Sequence, residues 1–405
     1  MSKTTRSLLA LLLACLFALA PAVQAAAQTS GPPVRVGGTL ALTGPLAATS
    51  LIHKIVGEIM VEQINKRGGF LGRPIEWVLL DDQSKPDVAR TLYERLLTVD
   101  KVDLLIGPYA TAAILAAMGV AQRYNKVLVH HTFGVPKLAK YEMHFSANAS
   151  GYDFEKVLPN KFLDALGSTG KPPKSIAIVT SKFPSVHFIS VGARDVATQR
   201  GLKVPLFLEY EFGTRDFAPM AARIKEADAD VLWMGTLGLE GNLMLEALGT
   251  IGYKPRGQFH LFPAPGPLLK APGSAGSFAY TTFEAHPPMT TAGKDGEILT
   301  KLFDERAKKA GLPYTLVETQ ASGSFAAWQL IEAAVNATKS LDDKKMGAWL
   351  RANQVHTIIG KLDFKGPNNY GQEQQKIKQI QGDRWVVVWP KESAAPGAKV
   401  IYPAP

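Results

Sequence analysis

Apolar and polar positions along the chain alternate in two rhythms, one typical of strands and the other of helices. Residues 34–42 are mostly apolar or β-branched, whereas residues 52–66 carry Ile52, Ile55, Val56 and Ile59 at helical spacing. This alternation predicts strands at 34–42, 75–80, 102–106 and 127–129, and helices at 52–66, 85–100 and 111–125. A repeated strand–helix order predicts a parallel sheet with helices on both faces.

A second unit of the same kind begins after Gly151. Its pattern predicts strands at 175–179, 204–210, 231–234 and 259–262, and helices at 156–166, 186–200, 218–227 and 242–251. The rest of the chain departs from this order, with a strand at 279–282, helices at 295–310, 325–339 and 344–353, and late strands at 377–380 and 384–389. The proline-rich residues 263–272 predict a surface loop, and the segment after residue 390 is expected to be loose.

The first residues have the pattern of a secretory signal peptide. Lys3 and Arg6 precede an apolar run over residues 8–20, and small residues follow at 23–27, which predicts cleavage after Ala25 or Ala27. The apolar run is too short to cross a hydrocarbon layer of about 30 Å. Leu12-Leu13-Ala14-Cys15 resembles a lipoprotein box, so a lipid anchor on Cys15 is the alternative. Either processing route predicts export, and we expect the chain in the periplasm.

Composition excludes several classes of protein. Apolar residues make up 46% and charged residues 20%, which excludes intrinsic disorder. A chain of 405 residues is longer than a single hydrophobic core usually supports, which predicts two domains. The single cysteine excludes a disulfide framework, and it leaves with the signal peptide together with two of the positive charges in the net +10. The Lys and Arg residues are scattered, so we predict no nucleic-acid partner.

No motif for catalysis, a metal or a cofactor emerges. His130 and His131 are neighbours on a predicted strand, so their side chains point to opposite faces and make a poor metal pair. Residues 235–241 have the spacing Gly-x-x-Gly-x-x-Gly, which is not the dinucleotide fingerprint. Ser322-Gly323-Ser324 lacks the strand-and-elbow context of a hydrolase. We therefore predict a protein that is not an enzyme and uses no cofactor.

Polar, glycine-containing turns follow three strands of the first unit. They cover residues 43–50, 107–111 and 131–134. Open α/β sheets bind ligands at the carboxyl ends of their strands, where these turns lie. Thr111 is a predicted N-cap, and the start of its helix suits an anion such as a carboxylate.

At these turns the chain resembles the leucine/isoleucine/valine-type solute-binding proteins of ABC importers. The resemblance rests on Leu42-Thr43-Gly44-Pro45 and on residues 62–69, 71–75, 81–84 and 102–108, and it extends over about residues 34–390. It implies a type I periplasmic binding fold, with two doubly wound parallel-sheet α/β lobes joined by three crossovers near 145–151, 281–285 and 356–361. Lobe one would comprise 34–145 and 283–355, lobe two 146–282 and 356–390, with a loose tail over 391–405.

The resemblance also implies a set of ligand-binding residues in the cleft between the lobes. The matching positions are Ala48, Thr49, Ser50, Tyr109, Ala110, Thr111, His131, Thr132, Phe133, Gly134, Phe183, Ser185, Leu237, Gly238, Phe262 and Pro263. In this family the turn at 109–111 holds the ligand carboxylate. Amino-acid binders often carry an acid near position 263 to pair with the ligand ammonium, and often a hydroxyl residue at position 134, but this chain has neither.

The missing acid changes the expected ligand. A buried ammonium without a carboxylate partner costs several kcal/mol. Glu209, Glu211 and Glu240 are the alternative acids, although each is also expected on the solvated surface. We therefore predict a carboxylate or aromatic ligand rather than an aliphatic amino acid. An aromatic slot would be formed by Tyr109, Phe133, Phe183 and Phe262. The ligand carboxylate would be bound by His131 or Thr111.

The resemblance implies a monomeric binding component that captures a small molecule by hinge closure and presents it to an ABC permease. The alternative is a sensory receptor for amides or amino acids on the same fold, acting through a partner protein. The sequence leaves the identity of the ligand open.

Overall fold

The computed structural model describes residues 29–283 and 293–404. Lobe one is built on a five-stranded parallel sheet in the order β2-β1-β3-β4-β5. Its strands are β1 (Val34–Leu40), β2 (Ile75–Asp81), β3 (Leu104–Ile106), β4 (Leu128–His130) and β5 (His144–Ser146). The helices α1 (Ala47–Lys66), α2 (Pro86–Thr98) and α3 (Thr111–Arg123) follow the first three strands, and a short 3₁₀ helix, Pro136–Leu138, follows β4.

Lobe two is built on a seven-stranded sheet in the order β14-β13-β10-β9-β8-β6-β7. Its strands are β6 (Ser175–Ser181), β7 (Lys203–Tyr210), β8 (Val231–Gly238), β9 (Gln258–Pro263), β10 (Phe278–Thr281), β13 (Lys376–Gln381) and β14 (Arg384–Trp389). Its helices are α4 (Phe154–Gly167), α5 (Pro184–Gln199), α6 (Ala218–Ala227), α7 (Glu240–Thr250) and α8 (Pro265–Lys270). The last two strands pair antiparallel, whereas the others run parallel.

The sheet of lobe two is covered on both faces, as the alternation of strands and helices predicts. In β6, Ile176 and Ile178 belong to one apolar cluster and Ala177 and Val179 to another. Successive side chains on a strand point to opposite faces, so lobe two has a core on both sides of its sheet.

The irregular part of the sequence completes lobe one. Three helices, α9 (Gly293–Lys309), α10 (Thr319–Thr338) and α11 (Asp343–Ala352), precede a hairpin of β11 (Val355–Thr357) and β12 (Gly360–Leu362). Phe303, Trp328, Leu350 and Ile358 belong to the same buried cluster as the sheet of lobe one. The chain therefore returns to lobe one before it adds β13 and β14 to lobe two.

Three segments that connect the lobes lie side by side. The hydroxyl of Tyr280 donates to Oδ1 of Asn148 at 3.0 Å, and the amide of Gln374 donates to the carbonyl of Ala149 at 2.9 Å. We expected the third crossover at 356–361, but the β11–β12 hairpin occupies those residues and packs on lobe one. The crossing lies instead at 371–375, between Tyr370 in the lobe-one cluster and Ile377 in lobe two.

Several local predictions are corrected by packing. Residues 263–272, expected as a surface loop, contain α8, in which Leu268 is fully buried. The segment after residue 390, expected to be loose, is hydrogen-bonded to lobe two: the amide of Ile401 donates to Gln379 at 3.0 Å and that of Ala404 to the carbonyl of Arg256 at 2.7 Å. Helices α1 and α10 begin five and six residues earlier than predicted. The short strand β5 was not predicted.

The predicted signal peptide and Cys15 lie outside the described residues. Within residues 29–283 and 293–404, none of the helices combines the length and the apolar character that crossing a membrane requires. The same residues contain no cluster of His, Cys, Asp and Glu arranged to hold a metal ion.

Candidate functional site: the cleft between the lobes

A small cavity lies where both sheets reverse their strand order. In lobe one the reversal falls between β1 and β3, and in lobe two between β6 and β8. Ligands of open α/β sheets bind in the crevice at such a reversal. The cavity measures about 30 Å³ and is lined by Tyr109, Ala110, Thr111, His131, Thr132, Asn148, Phe183, Ser185, Leu237, Phe262, Tyr280, Thr319 and Gln320.

Lobe one presents hydroxyl groups and the start of α3 to this cavity. Thr111 is the first residue of α3 rather than its N-cap, and its hydroxyl accepts the amide of Gly134 at 3.0 Å. The hydroxyl of Thr132 accepts the amide of Ala110 at 3.1 Å. A hydroxyl that accepts one hydrogen bond still has its own hydrogen to donate. The first amides of a helix also lack partners within the helix, so this corner of the cavity is rich in donors.

The backbone at this corner is strained. Ala110 has φ 73° and ψ 150°, a conformation that residues with a side chain rarely adopt. Such strain costs of the order of 1–3 kcal/mol and is concentrated at functional sites. Here it turns the amide of Ala110 toward Thr132 and sets the position at which α3 begins.

Three neighbouring rings, of His131, His53 and Tyr109, lie behind these donors. The ring of His131 stacks on His53 with centroids 4.2 Å apart, and Tyr109 lies 4.9 Å from His53. Burial lowers the pKa of His131 to about 3. Burial and the neighbouring His131 hold the pKa of His53 well below its ordinary range, although Gln320 offsets part of this shift. Both histidines are therefore neutral near pH 7, and these rings carry no positive charge.

His130 faces away from the cavity, as expected for the neighbour of His131 on a strand. Its Nε2 lies 3.0 Å from Nδ1 of His144, and Nε2 of His144 donates to the carbonyl of Asn368 at 2.7 Å. His144 must therefore accept at Nδ1 while His130 donates from Nε2. Burial lowers the pKa of both rings, that of His144 to about 4. This pair is a neutral element of the core of lobe one.

Lobe two contributes aromatic and apolar surface. The rings of Phe262 and Tyr280 meet edge to face with centroids 6.0 Å apart. Phe183 precedes α5, and its amide donates to the hydroxyl of Ser181 at 3.2 Å. With Tyr109 from lobe one, these rings surround the cavity on several sides. An aromatic ligand could stack or pack edge-on here.

No acidic side chain lines the cavity among the described residues. Glu240 accepts the amides of Leu237 at 3.0 Å and Gly213 at 3.3 Å and the hydroxyl of Tyr210 at 3.2 Å, so it serves the structure of lobe two. Glu209 pairs with His187, and Glu211 with Lys182 at 2.6 Å. The three acids that the sequence offered as partners for an ammonium therefore have other partners.

The structure brings together many of the residues expected in the site, but not all. The lining includes Tyr109, Ala110, Thr111, His131, Thr132, Phe183, Ser185, Leu237 and Phe262. Ala48 and Thr49, in the first turn of α1, line a neighbouring chamber instead. Ser50 and Phe133 are fully buried, and Gly134 fills the narrow gap between Thr111 and Ser185. Gly238 and Pro263 end their strands without lining the cavity.

Four lining residues were missed by the sequence analysis. Asn148 and Tyr280 lie where the chain passes between the lobes, and Thr319 and Gln320 lie in the first turn of α10. The start of α10 is hidden in the sequence because Ala321-Ser322-Gly323-Ser324 has a composition typical of loops. No local sequence pattern indicates Asn148 and Tyr280, because these residues are 132 positions apart and are brought together by a hydrogen bond in the folded chain.

Comparison with known proteins shows which family the sequence matches. The sequence profile of the periplasmic binding protein family matches residues 33–384. A leucine-, isoleucine-, valine-, threonine- and alanine-binding protein of Pseudomonas aeruginosa is 22% identical over 338 residues, which cover 80% of this chain and 83% of that protein.

Two solved structures share the fold. An ABC transporter solute-binding protein from R. palustris, in complex with benzoate, matches with a TM-score of 0.72 at 18% identity, covering 88% of this chain and 95% of the other. A branched-chain amino acid transporter substrate-binding protein from Streptococcus pneumoniae, in complex with isoleucine, matches with a TM-score of 0.73 at 17% identity, covering 89% of this chain and 100% of the other.

Proposed function

We propose that this chain, which belongs to the periplasmic binding protein family, captures a small organic carboxylate in its interlobe cleft and delivers it to the permease of an ABC importer. The family and the named relatives are substrate-binding proteins, so the chain is a binding protein and not an enzyme. The family expected from the sequence motifs is thereby confirmed. The chemistry of the ligand is the part that we argue from the cleft.

The donor-rich corner of the cleft carries the proposal. Hydroxyls of Thr111 and Thr132 and the start of α3 meet there, and neither a cation nor an acid lines the cavity among the described residues. A helix start with free amides and hydroxyl donors stabilises a carboxylate. An ammonium group at the same place would be desolvated without a counter-charge, which costs several kcal/mol.

The aromatic lining favours an aromatic acid over an aliphatic amino acid. Tyr109, Phe183, Phe262 and Tyr280 all border the cavity. The ligands named for the two solved structures, benzoate and isoleucine, both contain a carboxylate, but only isoleucine adds an ammonium group. We therefore propose that the ligand of this chain, like benzoate, has a carboxylate and no ammonium group.

Binding requires the lobes to move. The cavity of about 30 Å³ is far smaller than the roughly 300–1,000 Å³ of ordinary ligand pockets. A ligand therefore enters while the lobes are apart and is enclosed when they close, and closure is favoured because the ligand contacts both lobes only in the closed form.

The first experiment compares benzoate with leucine by calorimetry and thermal shift on the chain without residues 1–25. We expect benzoate to raise the melting temperature and leucine to leave it unchanged, since a ligand at a hundred times its Kd stabilises by about 2.7 kcal/mol. Binding of leucine without binding of benzoate would show that the ligand class is wrong while leaving the family assignment intact.

Two variants at one position test the donor corner. Thr111→Val removes the hydroxyl at nearly equal volume and is expected to weaken benzoate binding about 10-fold to 100-fold, because a hydrogen bond to a charged group contributes about 1.5–3 kcal/mol. Thr111→Ser keeps the hydroxyl and is the matched control. Equal loss in both variants would assign the effect to packing and remove this hydroxyl from the site.

A further inference from the structure

We infer that the ligand extends beyond the polar cavity into an apolar chamber beside it, so that the chain selects carboxylates with an extended apolar end. The chamber lies between the lobes and is lined by residues that include Ile52, Phe303 and Leu316 of lobe one and Leu239 and Pro265 of lobe two. This inference rests on the proposed function, because it uses the carboxylate as the anchor.

The chamber and the polar cavity are adjacent parts of one cleft. On β8 and the turn after it, Leu237 lines the cavity and Leu239 the chamber. On β9 and its following turn, Phe262 lines the cavity and Ala264 the chamber. At the start of α10, Thr319 faces the cavity and the preceding Glu318 the chamber. On each of these three segments, residues one or two positions apart line the two spaces, so the spaces are neighbours in the cleft.

The two spaces differ in size and chemistry in the way that such a ligand requires. The polar cavity measures about 30 Å³, whereas the chamber measures about 130 Å³. An apolar cavity of about 150 Å³ is large enough for benzene. The chamber therefore has room for about one aromatic ring or a short alkyl chain.

The chamber presents no free charge to its occupant. Glu318 is the charged residue in its lining. One oxygen of this carboxylate accepts the amide of Gln320 at 3.0 Å, and the other lies 3.4 Å from Nζ of the buried Lys378. With its charge compensated, Glu318 leaves the chamber suited to an apolar group.

Closure of the lobes completes the chamber. A Cβ on Gly266 of lobe two would lie 2.4 Å from Cβ of Tyr314 of lobe one, so the lobes meet at its edge. Leu239 and Leu316 stand on opposite lobes with 51% and 44% of their surface exposed. Both leucines line the chamber, so each lobe presents an apolar side chain to it. A group in the chamber therefore adds affinity for the closed form in particular.

The test measures Kd by calorimetry for benzoate, 3-phenylpropanoate and 4-phenylbutanoate, which share the carboxylate and differ in reach. Each buried methylene is expected to tighten binding about fourfold. Leu316→Asp places a charge at the chamber and is expected to bring the ratio of Kd between benzoate and 4-phenylbutanoate back toward one. Leu71→Asp is the matched control, since Leu71 is 42% exposed and lies before β2, at the opposite end of the strands.

The outcomes separate this inference from the proposed function. If none of the three acids binds, the proposed ligand class fails. If benzoate binds as well as or better than the longer acids, the proposed function stands and the chamber is not part of the ligand site. The inference is also overturned if Leu316→Asp lowers the stability of the free protein while the ratio of Kd stays unchanged, because the chamber would then be filled by the chain itself.

Discussion

Gly134 shows how a single residue controls the approach of the two lobes. A Cβ at this position would lie 2.6 Å from Cβ of Ser185 in lobe two, closer than side chains pack. The backbone of Gly134 is also fixed within lobe one, because its amide donates to the hydroxyl of Thr111. The hydroxyl side chain that many amino-acid binders carry here would therefore hold the lobes of this protein apart.

Gly134→Ala is expected to weaken benzoate binding roughly 5-fold to 100-fold, because overpacking costs about 1–3 kcal/mol and opening of the lobes relieves it. The melting temperature of the free protein should change little for the same reason. The double variant Gly134→Ala/Ser185→Gly removes the opposing Cβ and should recover affinity in calorimetry. Unchanged affinity in the single variant would contradict this role of Gly134.

Helix α10 is tied to the sheet of lobe two by the residue that caps it. Glu318 accepts the amide of Gln320 at the start of α10 and pairs with Lys378 of β13, both partners being buried. Lys378 also lies 4.8 Å from the centre of the Trp385 ring. Burial lowers the pKa of Lys378, and Glu318 opposes that shift. The ion pair of Glu318 and Lys378 therefore links α10 of lobe one to β13 of lobe two.

Glu318→Gln is expected to lower the free energy of unfolding by about 3–5 kcal/mol, since it leaves the Lys378 charge buried without a partner. Adding Lys378→Met should restore most of that loss in denaturant titrations. Asp342→Asn is the control, because Asp342 caps α11 at an exposed site, where its carboxylate accepts the amide of Lys345 at 2.9 Å. A loss in the control as large as in Glu318→Gln would assign the effect to capping alone.

The buried histidines of the molecule are expected to make its free energy of unfolding depend on pH in the acidic range. His53, His130, His131, His144 and His260 are buried in the described part of the chain, and burial lowers the pKa of each, to about 3 for His131 and His260. A lowered pKa means that the unfolded chain takes up protons first as the pH falls. Stability contributed by these neutral rings is therefore present above about pH 6.5 and is lost below it.

The free energy of unfolding is expected to fall as the pH drops from about 6.5 toward 4, by up to about 1.4 kcal/mol per pH unit for each buried histidine. His53→Phe should reduce the slope by one such contribution in denaturant titrations of the free protein. His356→Gln is the control, because His356 is exposed on β11. A slope that His53→Phe leaves unchanged would contradict the neutral state of that ring.

Much of the fold follows from local patterns that the sequence displays. The spacing of Ile55, Val56 and Ile59 predicts the buried face of α1, and the structure buries all three. Helix α6 and strand β14 have the predicted bounds. The turns after β3 and β4 were predicted to border the ligand site because each follows a strand of a parallel sheet, and Thr111 and Thr132 line the cavity between the lobes.

Helix and strand periodicity, the alternation of these elements and the family motifs together determined from sequence that this is a two-lobed binding protein, and they predicted which turns border its cleft. Only the tertiary structure decided where the third crossing lies, why position 134 must be glycine, and that an apolar chamber adjoins the cavity. The physical reason is the separation along the chain of the residues that interact. Periodicity reports on neighbours within a few residues, whereas Gly134 meets Ser185 and Glu318 meets Lys378 across the two lobes, between segments that are distant in the chain.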